Sequence, residues 1–425
     1  MLKKLPDDFQ EILVMVSRAA YGIGFKVYLV GGIVRDCILK RDVTDVDIIV
    51  EGDAIALAQR LSEIIGVEYK KHHAFGTASL EYAGYKIDLA TARKEVYEKN
   101  GALPKVAASD FKSDLARRDF TINAMAISIN QFDYGRLMDS FHGMADLHAG
   151  VIRILHDKSF YDDPTRILRA IRFEQRFGFK LEKNTAALMQ QALKDDVFPC
   201  VHPHRWRDEM ILLLKEPQPV RCIRRLEELC TVAKLCGNKD IRFAKNDWEL
   251  LLRLDSLLEQ AAYKFNRFRQ VDSWLVYLIA MVSSMPRAAL IKFMDNYGFR
   301  KGERMRVVAA KDYIGKVAKL NKEVKPHVIY RELNPLSFET IMYFYAYFYE
   351  DKLLVKNIEY FMTHLVNTRL KISGDDLKSA GIKPELIYGK ILDKVLDIKI
   401  SDGLATRQDE LQAALGVYKK MKKNS

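Results

Sequence analysis

The chain has 425 residues, 49% hydrophobic and 29% charged, which is ample for a packed core and implies two or more domains. Its net charge of +12 and pI near 9.2 favour a polyanionic partner such as nucleic acid. Five scattered cysteines (Cys37, Cys200, Cys222, Cys230, Cys236) exclude a zinc centre and fit reduced thiols, and the longest apolar run, Trp274 to Met281, excludes a membrane span, so a cytoplasmic protein is expected.

Along the chain, Asp7 to Tyr21 has helical apolar spacing. Val27 to Val30 is a β-prone run that ends in Gly31-Gly32, and Ile33 to Leu39 starts a helix. Val46 to Val50 predicts a strand and Ala54 to Ile65 a helix. Ala78 to Tyr82 and Lys86 to Ala90 predict a hairpin turning at Ala83-Gly84. The stretch from Thr91 to Asp119 reads as a loop. Beyond about residue 140 strand signals thin out. Ser159 to Phe177, Thr185 to Lys194, Arg205 to Lys215, Pro219 to Cys230, Trp248 to Tyr263 and later segments predict helices. A mixed α/β domain therefore precedes a larger, mainly helical part.

Four motifs carry chemistry. In Asp45-Val46-Asp47, alternation along a strand places two carboxylates on one face, a donor set suited to Mg²⁺. Such a DxD also occurs in ordinary capping turns. Its context is Gly31-Gly32-Ile33-Val34-Arg35-Asp36, where glycines let backbone approach phosphate and Arg35 lies one turn into a helix. Arg117-Arg118-Asp119 offers guanidinium donors for phosphate and an acceptor for a ribose hydroxyl, or else an exposed turn that caps the next helix. In Asp162-Asp163-Pro164-Thr165-Arg166, Asp163 fits an N-cap and Pro164 the first helical position. Asp163 and Arg166 can meet the edge of a nucleobase, and Arg169 and Arg172 continue a basic face. The structural alternative there is a capped, solvated helix.

Taken in order, these segments resemble the class II tRNA nucleotidyltransferases and bacterial poly(A) polymerases of the polymerase-β superfamily. GGIVRD with DVD, ARRDFTINAMAI, GRLMDSFHGMADLHAGVIRIL, DDPTRILRAIRFEQRFGF and HPHRWRDEMILLLKEPQPV resemble the family's five motifs. The resemblance implies a polymerase-β-like α/β head followed by a mainly α-helical neck, body and tail. The expected borders are 1–138 for the catalytic head, 139–204 for the neck, 205–325 for the body and 326–425 for a tRNA-binding tail. KISGDDLKSAGIKPELIYGKIL, which includes Pro384, resembles the family's tRNA-gripping tail.

By the same resemblance Asp45 and Asp47 match the catalytic, metal-binding carboxylates. Gly31, Gly32 and Arg35 match the phosphate cradle, Arg118 a nucleotide contact and Asp119 the ribose-reading acid. Asp163 and Arg166 match the base-selecting pair, and Arg169 and Arg172 further nucleotide-site arginines. Asp88 is a candidate third carboxylate. The family's base-selecting motif usually opens Glu-Asp, where this chain has Asp162-Asp163. The implied function is template-independent addition of CMP and AMP, from CTP and ATP, to the 3′ end of tRNA. An A-adding enzyme, a poly(A) polymerase, and a non-catalytic RNA-binding protein on the same scaffold are the alternatives.

Overall fold

The computed structural model describes residues 2, 5–43, 45–96, 99–102, 104–229, 231–237, 242–265, 271–383 and 385–423. Cys230, Pro384, and Tyr97, Glu98 and Leu103 of the expected loop lie outside the described residues. The chain divides into two compact units, Met1–Leu235 and Cys236–Ser425.

The first unit is built on a seven-stranded mixed sheet. Its strands are β1 (Lys26–Val30), β2 (Asp45–Glu51), β3 (Tyr69–His72), β4 (Thr77–Tyr82), β5 (Tyr85–Thr91), β8 (Ala126–Ser128) and β9 (Leu137–Met138), in the order β3-β4-β5-β2-β1-β8-β9. Only β2 and β5 run parallel within this sheet. Helix α1 (Asp7–Gly22) buries Phe9, Ile12, Leu13 and Val16, the spacing of one helical face. Helix α2 (Gly32–Ile38) follows β1 directly, and α3 (Ala54–Ile65) follows β2. Asp53 caps α3 by accepting from the Ile55 and Ala56 amides, and Gly66 ends it at φ 71°. The expected hairpin forms, with Tyr82 opposite Tyr85.

The segment 91–119 is not a loop throughout. It holds a small hairpin of β6 (Arg93–Val96) and β7 (Lys105–Ala108), then helix α4 (Phe111–Ala116). Every residue of β7 is exposed, so no in–out alternation marks it in the sequence. Leu115 of α4 packs with Tyr28, Val30 and Ile49 of β1 and β2, and Phe111 stacks on Tyr28 with ring centroids 4.4 Å apart.

Past β9 come α5 (Gly143–Ala149), α6 (Ser159–Asp162), α7 (Arg166–Phe177), α8 (Lys183–Lys194), α9 (Pro203–Leu214), α10 (Pro219–Glu228) and α11 (Thr231–Leu235). The helix expected over 159–177 is broken at 163–165. Pro164 disfavours a helical residue before it, and Asp163 is extended at φ −137° and ψ 90°. Pro164 therefore stands two residues ahead of α7 rather than in its first position. Asp163 Oδ1 accepts from the Thr165 amide and hydroxyl in a tight turn that leads into the helix.

The second unit is helical: α12 (Lys245–Phe265), α13 (Ser273–Val282), α14 (Arg287–Asn296), α15 (Lys301–Val317), α16 (Pro326–Leu333), α17 (Phe338–Tyr347), α18 (Lys352–Tyr360), α19 (Gly374–Ser379), α20 (Tyr388–Asp402) and α21 (Arg407–Lys423). Every residue of α13 from Trp274 to Val282 is buried, as expected of a helix apolar on all sides. The last three helices form their own core around Leu377, Ile391, Val395 and Ala414. There the fully buried Glu410 accepts from the Lys371 and Ile372 amides and pairs with Lys399 at 2.5 Å. No helix among the described residues is long and apolar enough to cross a membrane.

Candidate active site

Strand alternation sets the first element of the site. Val46 and Ile48 are buried, while Asp45 and Asp47 stand open on the other face of β2. Asp88 of β5 pairs in register with Asp47, but its carboxylate is held by Lys86 at 2.5 Å. Among the described residues no three His, Cys, Asp or Glu side chains converge as a metal cluster. The donor set is thus a carboxylate pair, which suits a hard divalent cation that keeps waters and takes phosphate oxygens. Loss of hydration pushes the Asp47 pKa up, the charges of Asp88 and Asp45 add to this, and Arg118 opposes it. Negative charge crowded in this way favours a cation.

The candidate phosphate side is built at the end of β1. Gly31 has φ 75° and ψ −132°, and a Cβ there would lie 2.5 Å from Arg118 Nη1. The absence of a side chain is what lets Arg118 cover the turn. Arg118 in turn reaches Asp114 Oδ2 at 3.4 Å. Asp114 is fully buried and also takes Arg117 Nη2 at 2.6 Å, so one carboxylate places both arginines. Arg35 is buried as well. Its Nε and Nη2 donate to Asp36 at 2.9 and 2.8 Å, and its Nη1 to Asn123 Oδ1 at 2.5 Å. Its guanidinium carbon lies 4.7 Å from the Phe177 ring centroid and 5.4 Å from that of Phe173. A guanidinium has five N–H donors, so two remain for a ligand.

Asp119 sits at the junction of the two sides. Its Oδ2 accepts from Arg169 Nε and Nη2 at 2.9 and 2.6 Å, and its Oδ1 from Asn123 Nδ2 at 3.0 Å. Burial alone would raise its pKa, but Arg169 and the Asn123 hydrogen bond outweigh burial and hold it at about 2. Arg169 then passes to Glu209 at 3.1 Å, Glu209 to Arg172 at 3.7 Å, and Glu216 takes Arg172 at 3.8 Å and Arg176 at 2.5 Å. These arginines are not a solvated face: Arg166 and Arg172 are buried. The Nε atoms of Arg118 and Arg172 are buried with no hydrogen-bond acceptor. Burial pulls the pKa of both down, against Asp114 and Glu209 respectively.

The base-selecting candidates flank the break before α7. Asp163 Oδ2 pairs with Arg205 at 2.7 Å, and Arg166 donates to Ser159 Oγ at 2.6 Å and to the Arg117 carbonyl at 2.7 Å. Both side chains are fixed while keeping hydrogen-bonding capacity toward the cleft.

One cleft of about 1090 Å³ brings together Gly31, Gly32, Arg35, Asp45, Asp47, Arg118, Asp119, Asp163, Arg166, Arg169 and Arg172. Asp88 is not among its lining residues. Sequence reasoning gave no role to Asp114 or Asn123. Asp114 could have been flagged by its position four residues before Arg118. Asn123 lies within the ARRDFTINAMAI motif, but its partner Arg35 is 88 residues away and is brought to it by the fold alone.

Residues 27–153 match the family described as the poly A polymerase head domain. An A-adding tRNA nucleotidyltransferase of Geobacter sulfurreducens is 33% identical over 98% of this chain. The chain spans 48% of that relative's length, about half. An A-adding tRNA nucleotidyltransferase of Halalkalibacterium halodurans is 31% identical over 96% of this chain and 93% of its own. The solved structure of the Thermotoga maritima CCA-adding enzyme complexed with tRNA superposes with a TM-score of 0.73 at 31% identity, covering 98% of this chain and 97% of that one. The head-domain match and the similarity to the Halalkalibacterium halodurans relative over nearly the whole of both chains agree, and the chain belongs to the tRNA nucleotidyltransferase family with a poly A polymerase head.

Proposed function

We propose that this protein adds CMP and AMP, or AMP alone, to the 3′ end of tRNA, building or completing CCA and releasing pyrophosphate. The observation that carries this is the composition of one cleft. A carboxylate pair faces arginines, two of which have buried Nε groups without an acceptor. Such a cleft suits a triphosphate beside a divalent cation.

The terminal RNA hydroxyl attacks the α-phosphorus, a new P–O bond forms, the bond to the β-phosphate breaks, and the hydroxyl proton is lost. Asp45 and Asp47 would hold Mg²⁺, which when bound acidifies the attacking hydroxyl and offsets phosphate charge. Arg35, Arg118 and Arg172 bind the phosphates. Asp119, kept ionised by Arg169, accepts from the ribose. Asp163 and Arg166 present an acceptor and donors to the base edge, so selection needs no nucleic-acid template. Phosphate-rich RNA is drawn by the net charge of +12, and we assign its grip to the helical segments 205–325 and 326–425. The free thiols of Cys37, Cys200, Cys222 and Cys236 fit a cytoplasmic setting.

The test incubates purified protein and Mg²⁺ with labelled tRNAs ending before CCA, after C and after CC, with CTP, ATP or both. Extension of all three to CCA establishes a full CCA-adding enzyme. Extension of the CC-ended tRNA alone, with ATP, establishes the A-adding reading that the two relatives' names favour. Processive extension of unrelated RNA makes it a poly(A) polymerase. Unchanged transfer by Asp45→Ala, or RNA binding without any transfer, sinks the catalytic assignment.

A further inference from the structure

We propose that Asn123 is a positioning residue that ties the sugar-reading carboxylate of Asp119 to the phosphate-side guanidinium of Arg35, so that sugar and phosphates are recognised as a unit. This rests on the nucleotide site proposed above and on the roles it gives those two residues.

Asn123 lines the cleft, is 6% exposed, and closes a short turn from Thr121 to Asn123. The turn is anchored from behind: the Thr121 amide donates to the Arg153 carbonyl at 2.9 Å, and its hydroxyl to the buried Asp146 at 2.7 Å. The two ends of the Asn123 amide do opposite work. Nδ2 donates to Asp119 Oδ1 at 3.0 Å, and Oδ1 accepts from Arg35 Nη1 at 2.5 Å. A flipped amide would set its oxygen against a carboxylate and its NH₂ against a guanidinium. The flanking charges therefore fix one orientation.

Each neighbour has other restraints, the Phe177 ring beside Arg35 and the Phe120 amide on Asp119, but none of them joins the two. Asp119 Oδ2 is held by Arg169, and among the described residues its Oδ1 is otherwise held by the adjacent Phe120 amide at 2.8 Å. Without Asn123, Oδ1 keeps the backbone contact to Phe120 but loses its side-chain partner, and its tie to Arg35 is gone. Arg35 is held by Asp36 through Nε and Nη2, and among the described residues Asn123 takes Nη1. The amide is thus the link by which a shift on the phosphate side reaches the sugar side.

The test compares ATP and 2′-deoxy-ATP binding to the full chain by titration calorimetry in Mg²⁺, for wild type, Asn123→Ala, Arg35→Lys and the double variant. Asn123→Ala should cut the preference for ATP over 2′-deoxy-ATP by about tenfold to a hundredfold, the worth of one hydrogen bond to a charged group. Arg35→Lys should lower that preference in the wild-type background and leave it unchanged in the Asn123→Ala background. Equal weakening of both nucleotides by Asn123→Ala, or the same Arg35→Lys effect in both backgrounds, overturns the proposal. Should Asn123→Ala fail to fold, the isosteric Asn123→Asp serves. It keeps an acceptor for Arg35 but sets a like charge against Asp119, so it must lose the ribose preference or the proposal falls. Wild-type transfer onto CC-ended tRNA is measured separately. Its failure counts against the proposed reaction and leaves the binding test standing.

Discussion

Removal of the Asp114 carboxylate should destabilise the protein and loosen Arg118. Asp114 is fully buried and accepts from Arg117 Nε and Nη2 at 3.0 and 2.6 Å, from Arg118 Nη2 at 3.4 Å and from the Arg93 amide at 3.3 Å. Breaking a buried ion pair from one side costs about 3–5 kcal/mol, because the remaining charge is left uncompensated. Two features lower that figure here. Both arginine side chains keep 20% exposure, and Glu95 still pairs with Arg117 at 2.8 Å. The expected cost of Asp114→Ala is then about 2–3 kcal/mol. For a unit of this size each kcal/mol moves the melting temperature by about 2–4 °C, so a drop of about 4–12 °C follows. Asp114→Asn keeps the shape and one acceptor oxygen, and should cost about 1–2 kcal/mol. Scanning calorimetry of the full chain reads the shift, and ATP titration reads the loosening of Arg118 as weaker binding. An Asp114→Ala protein that melts within about 1 °C of wild type, or above Asp114→Asn, would refute the account.

Gly31→Ala meets a backbone at φ 75° and ψ −132° and would place its Cβ 2.5 Å from Arg118 Nη1. The strained backbone alone costs about 1–3 kcal/mol, and Arg118 must move, so both melting temperature and ATP affinity should fall; wild-type ATP affinity would show that Arg118 does not depend on the bare turn. Asp119, held at about 2 against an unfolded value near 3.9, contributes about 2–3 kcal/mol that is present above the unfolded pKa and lost as pH falls through the folded one. About 1 kcal/mol of it is gone by pH 3, so in urea unfolding from pH 6 to pH 3 Asp119→Asn should lose less stability than wild type by that amount. Parallel pH curves for the two proteins would remove Asp119 from the ledger of acid stability.

Much of this protein is written in local pattern. The alternation of Asp45-Val46-Asp47-Ile48 determined that both carboxylates share a face, because strand side chains repeat every two residues. The apolar spacing of α1 and α3 and the turn at Ala83-Gly84 were legible for the same kind of reason: each depends only on neighbours in sequence. The order of the motifs identified the family. The hairpin of β6 and β7 escaped because β7 is exposed along its whole length and buries nothing that would imprint a period. The start of α7 lies two residues past the expected first position at Pro164, since a proline can start a helix or stand just before one.

What the sequence could not decide is which polar groups meet. Arg35 and Asn123 lie 88 residues apart, and Arg169 and Asp119 lie 50 apart. Only tertiary packing, which sets α2 against the turn at Thr121–Asn123 and Phe173 of α7 against Phe120, closes these pairs. Local sequence chose the charges and the strand placed the carboxylates. The fold alone decided that Arg169 and Arg172 of α7 turn onto Asp119, Glu209 and Glu216 instead of facing water, because hydrogen bonds between side chains are set by distances in space that no spacing along the chain encodes.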